Sequence, residues 1–186
     1  MASVFGHTAL GATLGILLLP GRQHWHWWVL AAACAFLPDA DVVGFKFHVP
    51  YASQWGHRGL THSILAAAVV ATVLVGFYSL RRTTQALALA RIWGLLFLAT
   101  ASHGVLDAMT TGGLGVAFFS PIDQQRYFFS FRPIQVSPIG IRNFAGQQAL
   151  RVLVSEAVWV GLPCLVLLLI NWLLLSRSQP LEDRAG

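Results

Sequence analysis

Apolar residues in this chain of 186 come in five runs separated by short polar breaks: Val4 to Pro20, Trp25 to Leu37, Thr61 to Leu80, Ala88 to Leu106 and Leu150 to Leu175. Runs of that length with so little charge predict membrane-crossing helices, because a backbone inside hydrocarbon must satisfy its own N–H and C=O groups. The second run is short for a full span. Its WHWW start at Trp25 to Trp28 nonetheless sets aromatic rings where an interfacial belt is expected. The first run lacks a basic leader segment and carries His7, so it reads as a retained span. Within it, Gly11 and Gly15 form a small-xxx-small pair suited to close helix approach.

The predicted fold is therefore all-α: a polytopic membrane helical bundle of about five transmembrane helices. One domain over residues 1–176 and a polar tail over 177–186 account for the whole length. Composition agrees, since charged residues are 10 % of the chain against about 25 % in soluble domains. The net charge of +5 suits a border with anionic lipid headgroups, and without a Lys/Arg run it is no nucleic-acid footprint. Cys34 and Cys164 lie inside apolar runs, where cysteine behaves as a small hydrophobe.

Five alternating spans place the N-terminus, the loop after Leu37 and the long loop after Leu106 on one membrane face, and the Arg22 and Arg81-Arg82 turns on the other. His7, Asp39, Asp41, His57, His62, His103 and Asp107 then all fall at or near the first face, although they come from four parts of the chain. Only seven acidic residues exist, and three of them are in this set. Unpaired charges buried in a membrane are costly, and one shared cation would satisfy them together. The expectation is a metal site at that face.

Local spacing supports it. His103 and Asp107 are four residues apart, which stacks them on one side of a helix about 6 Å from each other. LPDAD, Leu37 to Asp41, puts two carboxylates after a proline, one to ligate and one to hold a histidine or a second ion. In GHRGLTHS, Gly56 to Ser63, Thr61 or Ser63 can cap the third helix while His57 and His62 face a cation. Arg58, Arg126 and Arg132 are cationic and cannot ligate, so they are candidates to clamp an anionic substrate, with lipid phosphates as the alternative partner. Glu156 lies inside the last apolar run, roughly 9 Å from its end if that helix starts near Leu150. It is a further ligand or, with Asp41, a candidate general base; a hydrogen bond to Arg151 or Asn143 is the alternative.

These motifs resemble the YdjM-like family of bacterial inner-membrane proteins, inferred to be metal-dependent hydrolases. The resemblance runs through His7, LPDAD, GHRGLTHS, SHGVLDAMTTGG and the SPIDQQRYFFSFRPI loop, and covers most of the chain. It implies a helical membrane fold, a bacterial inner-membrane location and a hydrolase with no substrate attached. Ser120 and Tyr127, in the loop, enter as substrate-side residues on this ground. HxxxD is also distantly similar to the zinc-dependent phospholipase C and P1-nuclease group, which would make phosphoesters the substrate class.

The expected function is a membrane-embedded hydrolase cleaving a lipid or lipid-linked phosphoester with a metal-activated water. The metal set is His7, Asp39, Asp41, His57, His62, His103, Asp107 and Glu156. Mixed His/carboxylate donors favour Zn2+, with Mn2+ or Fe2+ open and one or more ions possible. The competing functions are a transition-metal carrier or sensor and a ceramidase-like amide hydrolase. Arg22, Arg81, Arg82, Arg177 and Arg184 favour the opposite face as cytoplasmic and the active-site face as outward, although Lys46, Arg58, Arg126, Arg132, Arg142 and Arg151 nearly cancel that bias.

Overall fold

The protein, seen here in a computed structural model, is described over residues 1–139 and 144–177. The expected tail from residue 178 onward, with Arg184, and Arg142 and Asn143 lie outside the described residues. Among those described there are five helices: α1 (Val4–Leu18), α2 (Trp25–Phe36), α3 (Ile64–Ser79), α4 (Ala86–Ala108) and α5 (Gly146–Arg177). In α5 a π-turn, Ala157–Gly161, joins Gly146–Glu156 to Leu162–Arg177. Three stretches are long and apolar enough to cross a bilayer: Arg22–Phe47, Ala86–Ala108 and Gly146–Arg177. The 15 residues of α1 and 16 of α3 cover about 22 to 24 Å at the α-helical rise.

The second run is longer than its hydrophobicity suggests. After Phe36 the chain tightens into a 3-10 helix, Leu37–Phe47, with Pro38 in its first turn, where a missing N–H costs no ladder bond. At three residues per turn, Asp39 and Asp41 point about 120° apart rather than sharing a face. That divergence decides their different roles.

Small residues bring α1 onto α2. A side-chain carbon added at Gly11 would lie 2.7 Å from the Ala31 carbonyl oxygen and the Ala35 Cβ, and one at Gly15 would lie 2.7 Å from Trp28 Cα. Gly11→Leu is expected to force the two helices apart and to cost metal binding as well as stability, because α1 carries His7 and α2 leads into Asp39. Metal content and thermal unfolding of that variant check this. A variant unchanged in both would remove the seam.

At the centre, Leu95, Leu96 and Ala99 of α4 are fully buried against Trp27, Ala31 and Ala35 of α2 and Ala71 of α3. One turn beyond Ala99 comes His103, at the end of the bundle where the start of α1, the end of α2, the start of α3 and the end of α4 meet. The long loop after α4 is folded over that end. Its backbone bonds to the surrounding elements: Ala117 N to Arg58 O at 3.0 Å, Ile64 N to Phe118 O at 3.0 Å and Phe129 N to Ala108 O at 3.0 Å.

Candidate metal centre

Three elements each deliver one or two donors. Asp39 comes from the 3-10 continuation of α2, His62 from the short 3-10 turn Leu60–His62, and His103 and Asp107 from the last turns of α4. All four side chains are buried, at 4 % exposure or less. One donor atom from each lies within 4.8 Å of the other three. His62 Nε2 is 3.0 Å from His103 Nε2. Asp39 Oδ1 is 3.2 Å from His103 Nε2 and 3.6 Å from His62 Nε2. Asp107 Oδ2 is 3.6 Å from His62 Nε2 and 3.9 Å from His103 Nε2. Around a tetrahedral zinc with bonds of about 2.0 Å, neighbouring donors are separated by about 3.3 Å. The cluster has the dimensions of such a shell.

Hydrogen bonding on the far side of each imidazole decides which atoms are left to face a cation. His103 Nδ1 donates to the Ala35 carbonyl at 2.7 Å. Thr61 Oγ1 gives its hydrogen to Asp41 Oδ2 at 2.7 Å and therefore accepts from His62 Nδ1 at 3.0 Å. With both Nδ1 atoms protonated, both neutral rings turn a bare Nε2 lone pair toward the other and toward two carboxylate oxygens. In that neutral state four acceptors converge with no hydrogen between them. Among the described residues the Asp39 oxygens have no hydrogen-bond partner, although buried polar atoms normally find one, and Asp107 Oδ2 is met only by the Arg58 ion pair on its outer side. The group can hold a metal ion. A proton on His62 is the competing occupant. Burial pulls this imidazole down, while Asp39 and Asp41 push it further the other way, to about 9.

Asp41 stands behind the cluster rather than in it. Its Oδ1 meets His57 Nδ1 at 2.7 Å, and its Oδ2 takes Thr61 Oγ1, the Arg58 N–H at 3.3 Å and His62 Nδ1 at 3.2 Å. Asp41, His57 and His62 form a second set compact enough for a cation. His57 is buried, and its Nε2 has no hydrogen-bond partner among the described residues. His7 is fully buried and stacks on His103 with ring centroids 3.8 Å apart, its Nε2 3.5 Å from Asp107 Oδ1. It walls the tetrad without entering it.

Other expected site residues sit differently. Glu156 was expected at the metal; instead its carboxylate accepts the Ser3 N–H and hydroxyl at the head of α1, and a side chain at Gly6 would meet it at 3.1 Å. It belongs to neither compact His/Asp set, and the head of α1 rather than Arg151 supplies its partners. Arg58 was expected to clamp substrate, yet it is 0 % exposed, with Nε 2.9 Å from Asp107 Oδ2, one terminal nitrogen donating to the Gly112 carbonyl at 2.9 Å and the other to Thr110 Oγ1 at 3.0 Å. Its guanidinium is consumed inside the protein. Arg126 likewise staples the loop, donating to the carbonyls of His57 at 2.9 Å, Tyr51 at 3.0 Å and Ser53 at 3.1 Å.

Of the three arginines, Arg132 is the one left exposed, lying over the Phe128 ring. The Tyr127 hydroxyl donates to Asp123 at 2.6 Å, a bond that lowers the carboxyl and raises the phenol from their ordinary values. Ser120 is buried, and its hydroxyl has no hydrogen-bond partner among the described residues. Ser63 caps α3 through the Ala66 N–H, leaving Thr61 for Asp41. Thr110 and the Ala35 carbonyl were not foreseen. Thr110 follows Asp107 in the same motif, but nothing local marks a backbone carbonyl as an orienting group.

Fold and site together define a polytopic helical membrane protein that buries a two-histidine, two-aspartate cluster at one end of its bundle. The chain belongs to the YdjM inner membrane protein family, whose profile matches residues 1–179. It is 37 % identical over 176 residues to the inner membrane protein YbcI of Escherichia coli (strain K12), covering 92 % of this chain and 98 % of that relative. No solved structure matches the chain. It is an inner-membrane protein, as the sequence motifs implied.

Proposed function

We propose that this protein is a membrane-embedded metal-dependent hydrolase that holds a divalent cation between Asp39, His62, His103 and Asp107 and cleaves a lipid or lipid-linked phosphoester at the bilayer surface. The reading rests on the two imidazole Nε2 atoms held 3.0 Å apart with their protons on the far side. Two nitrogen and two oxygen donors suit zinc, with manganese or iron as the next candidates. Such a cation supplies a water of pKa near ~7 and polarises the ester oxygen.

The chain's own groups do the rest. Asp41 grips His57 through Nδ1, which leaves His57 Nε2 as the lone pair able to take a proton from the attacking water. Asp41 thus acts by orienting a base. Asp107 Oδ2 is shared with Arg58, so of the four residues that would hold the cation it would be the weakest donor. Arg132 keeps an exposed guanidinium for an anionic group.

A carrier or sensor remains the second reading, because four protein donors can close a metal shell. Against transport stands the layer of Leu95, Leu96, Ala99 and Ala31, fully buried beneath the cluster, which blocks a path to the opposite face. With Arg58 and Arg126 engaged inside the protein, amide substrates of the ceramide type must be tested beside phosphodiesters.

Purified protein in nanodiscs should cleave a phosphodiester lipid only when loaded with metal. His57→Ala should lower the rate about a hundredfold or more while metal content holds, the range for loss of a general base. One bound metal per chain with neither substrate cleaved would replace this reading with the carrier or sensor, and ceramide cleavage alone would replace the substrate class.

A further inference from the structure

Between α5 and the loop segment at Gln135 and Val136 lies a groove whose two ends differ in chemistry. The first part, a cavity of about 380 Å³, is lined by Gln135, Gln147, Gln148 and Arg151 over Val136 and Val152. The second, about 520 Å³, shares Gln135 and Arg151 and continues along Leu150, Val154, Val158 and Trp159. Positions 147, 151, 154 and 158 recur at helical spacing, so one face of α5 changes from polar to apolar over about 16 Å. The Gln135 N–H donates to Ser155 Oγ at 2.9 Å, which ties the loop to the helix and gives the groove a fixed wall.

The 32 residues of α5 extend about 48 Å, well beyond a hydrocarbon core of about 30 Å. Its glutamine- and arginine-bearing first turns therefore stand at headgroup height, with Trp159 below them. Among the described residues lining the two cavities there is one cation, Arg151, which is exposed, and no acid. A polar, cationic head followed by an apolar channel matches one kind of occupant.

We propose that this groove binds a bilayer phospholipid with an anionic headgroup. The phosphate meets Arg151, the head's hydroxyls meet Gln135, Gln147 and Gln148, and an acyl chain lies along Val154, Val158 and Trp159. The site is separate from the metal cluster and stands whether or not the protein hydrolyses lipid. It also touches that cluster's frame. Val136 N donates to Thr111 Oγ1 at 3.1 Å and Thr111 N to the Ile134 carbonyl at 2.9 Å, beside the Thr110 that holds Arg58.

Native mass spectrometry of the full chain, released from nanodiscs of equal phosphatidylglycerol and phosphatidylcholine, tests the proposal. The wild type should retain phosphatidylglycerol preferentially. Arg151→Ala should lower that preference about fivefold, the effect of one guanidinium beside an anionic headgroup. Arg81→Ala, on an exposed turn at the other end of the bundle, should leave it intact. Val158→Trp, which fills the apolar channel, should reduce retention of both lipids. An equal fall in Arg81→Ala and Arg151→Ala would mean diffuse surface charge and overturn the site. So would displacement of the lipid by millimolar inorganic phosphate, which would make it a free-anion site, or retention unchanged by Arg151→Ala. Because Arg151 is exposed, that variant is expected to fold and keeps the test decisive if Val158→Trp does not.

Discussion

His62→Ala and His103→Ala are each expected to weaken zinc binding by at least about a hundredfold. Each removes one of four donors, and the loss exceeds the ten- to hundredfold typical of residues that only orient a ligand. Asp41→Asn provides that lesser comparison, since Asp41 holds His62 Nδ1 and His57 without joining the four-atom shell. Affinity should also depend on pH in a defined direction. With no cation bound, His62 is raised to about 9, so below that value the site carries a proton that metal must displace. Binding should weaken about tenfold for each unit of pH lowered from 8 to about 6 and release about one proton per metal. Zinc titrations across that range check both points. Full metal content in His62→Ala and His103→Ala would dismiss the centre.

Arg58→Ala should be the most destabilising single change. The guanidinium and Asp107 are both 0 % exposed, and loss of the guanidinium leaves Asp107 Oδ2, the Gly112 carbonyl and Thr110 without their buried donor. The Ala2 N–H and His7 still face Asp107 Oδ1, so the cost should approach the low end of the about 3 to 5 kcal/mol of a broken buried pair. Arg58→Lys should recover little, because three separate acceptors, Asp107 Oδ2, the Gly112 carbonyl and Thr110 Oγ1, are met by the fixed fork of one guanidinium. The space is equally specific: a side chain at Gly113 would lie 2.5 Å from the Arg58 terminal nitrogen. Unfolding of the purified variants in detergent measures the loss. A change below about 1 kcal/mol would show that Arg58 is not structural and would return it to the substrate side.

These two results bear on opposite halves of the GHRGLTHS motif. His62 joins the cluster and His57 meets Asp41 behind it, whereas the arginine does not reach outward to a ligand. A cation next to metal-binding residues in sequence invites a substrate role, but Arg58 sits with a left-handed φ of 64° that turns it inward under the long loop. Arg126 follows the same logic, since three loop carbonyls on 51, 53 and 57 claim it before any substrate can.

Five helices and the gathering of His7, Asp39, His57, His62, His103 and Asp107 at one end of the bundle were legible in the sequence alone. Hydrophobic runs set the number of helices, and the alternation of antiparallel helices fixes which polar residues share an end. The four-residue spacing of His103 and Asp107 likewise forces them onto one side of α4. Only the tertiary structure decided which of these groups lie close enough to share an ion. Positions two apart on a helical turn point to different sides, and packing sets Asp39 against His62 and His103 and Asp41 against His57 and Thr61. Glu156 was drawn away by the Ser3 hydroxyl and N–H, 153 positions earlier in the chain. Sequence spacing determines angles within one helix, whereas a buried charge takes whichever partner the packing of distant segments brings within about 3 Å.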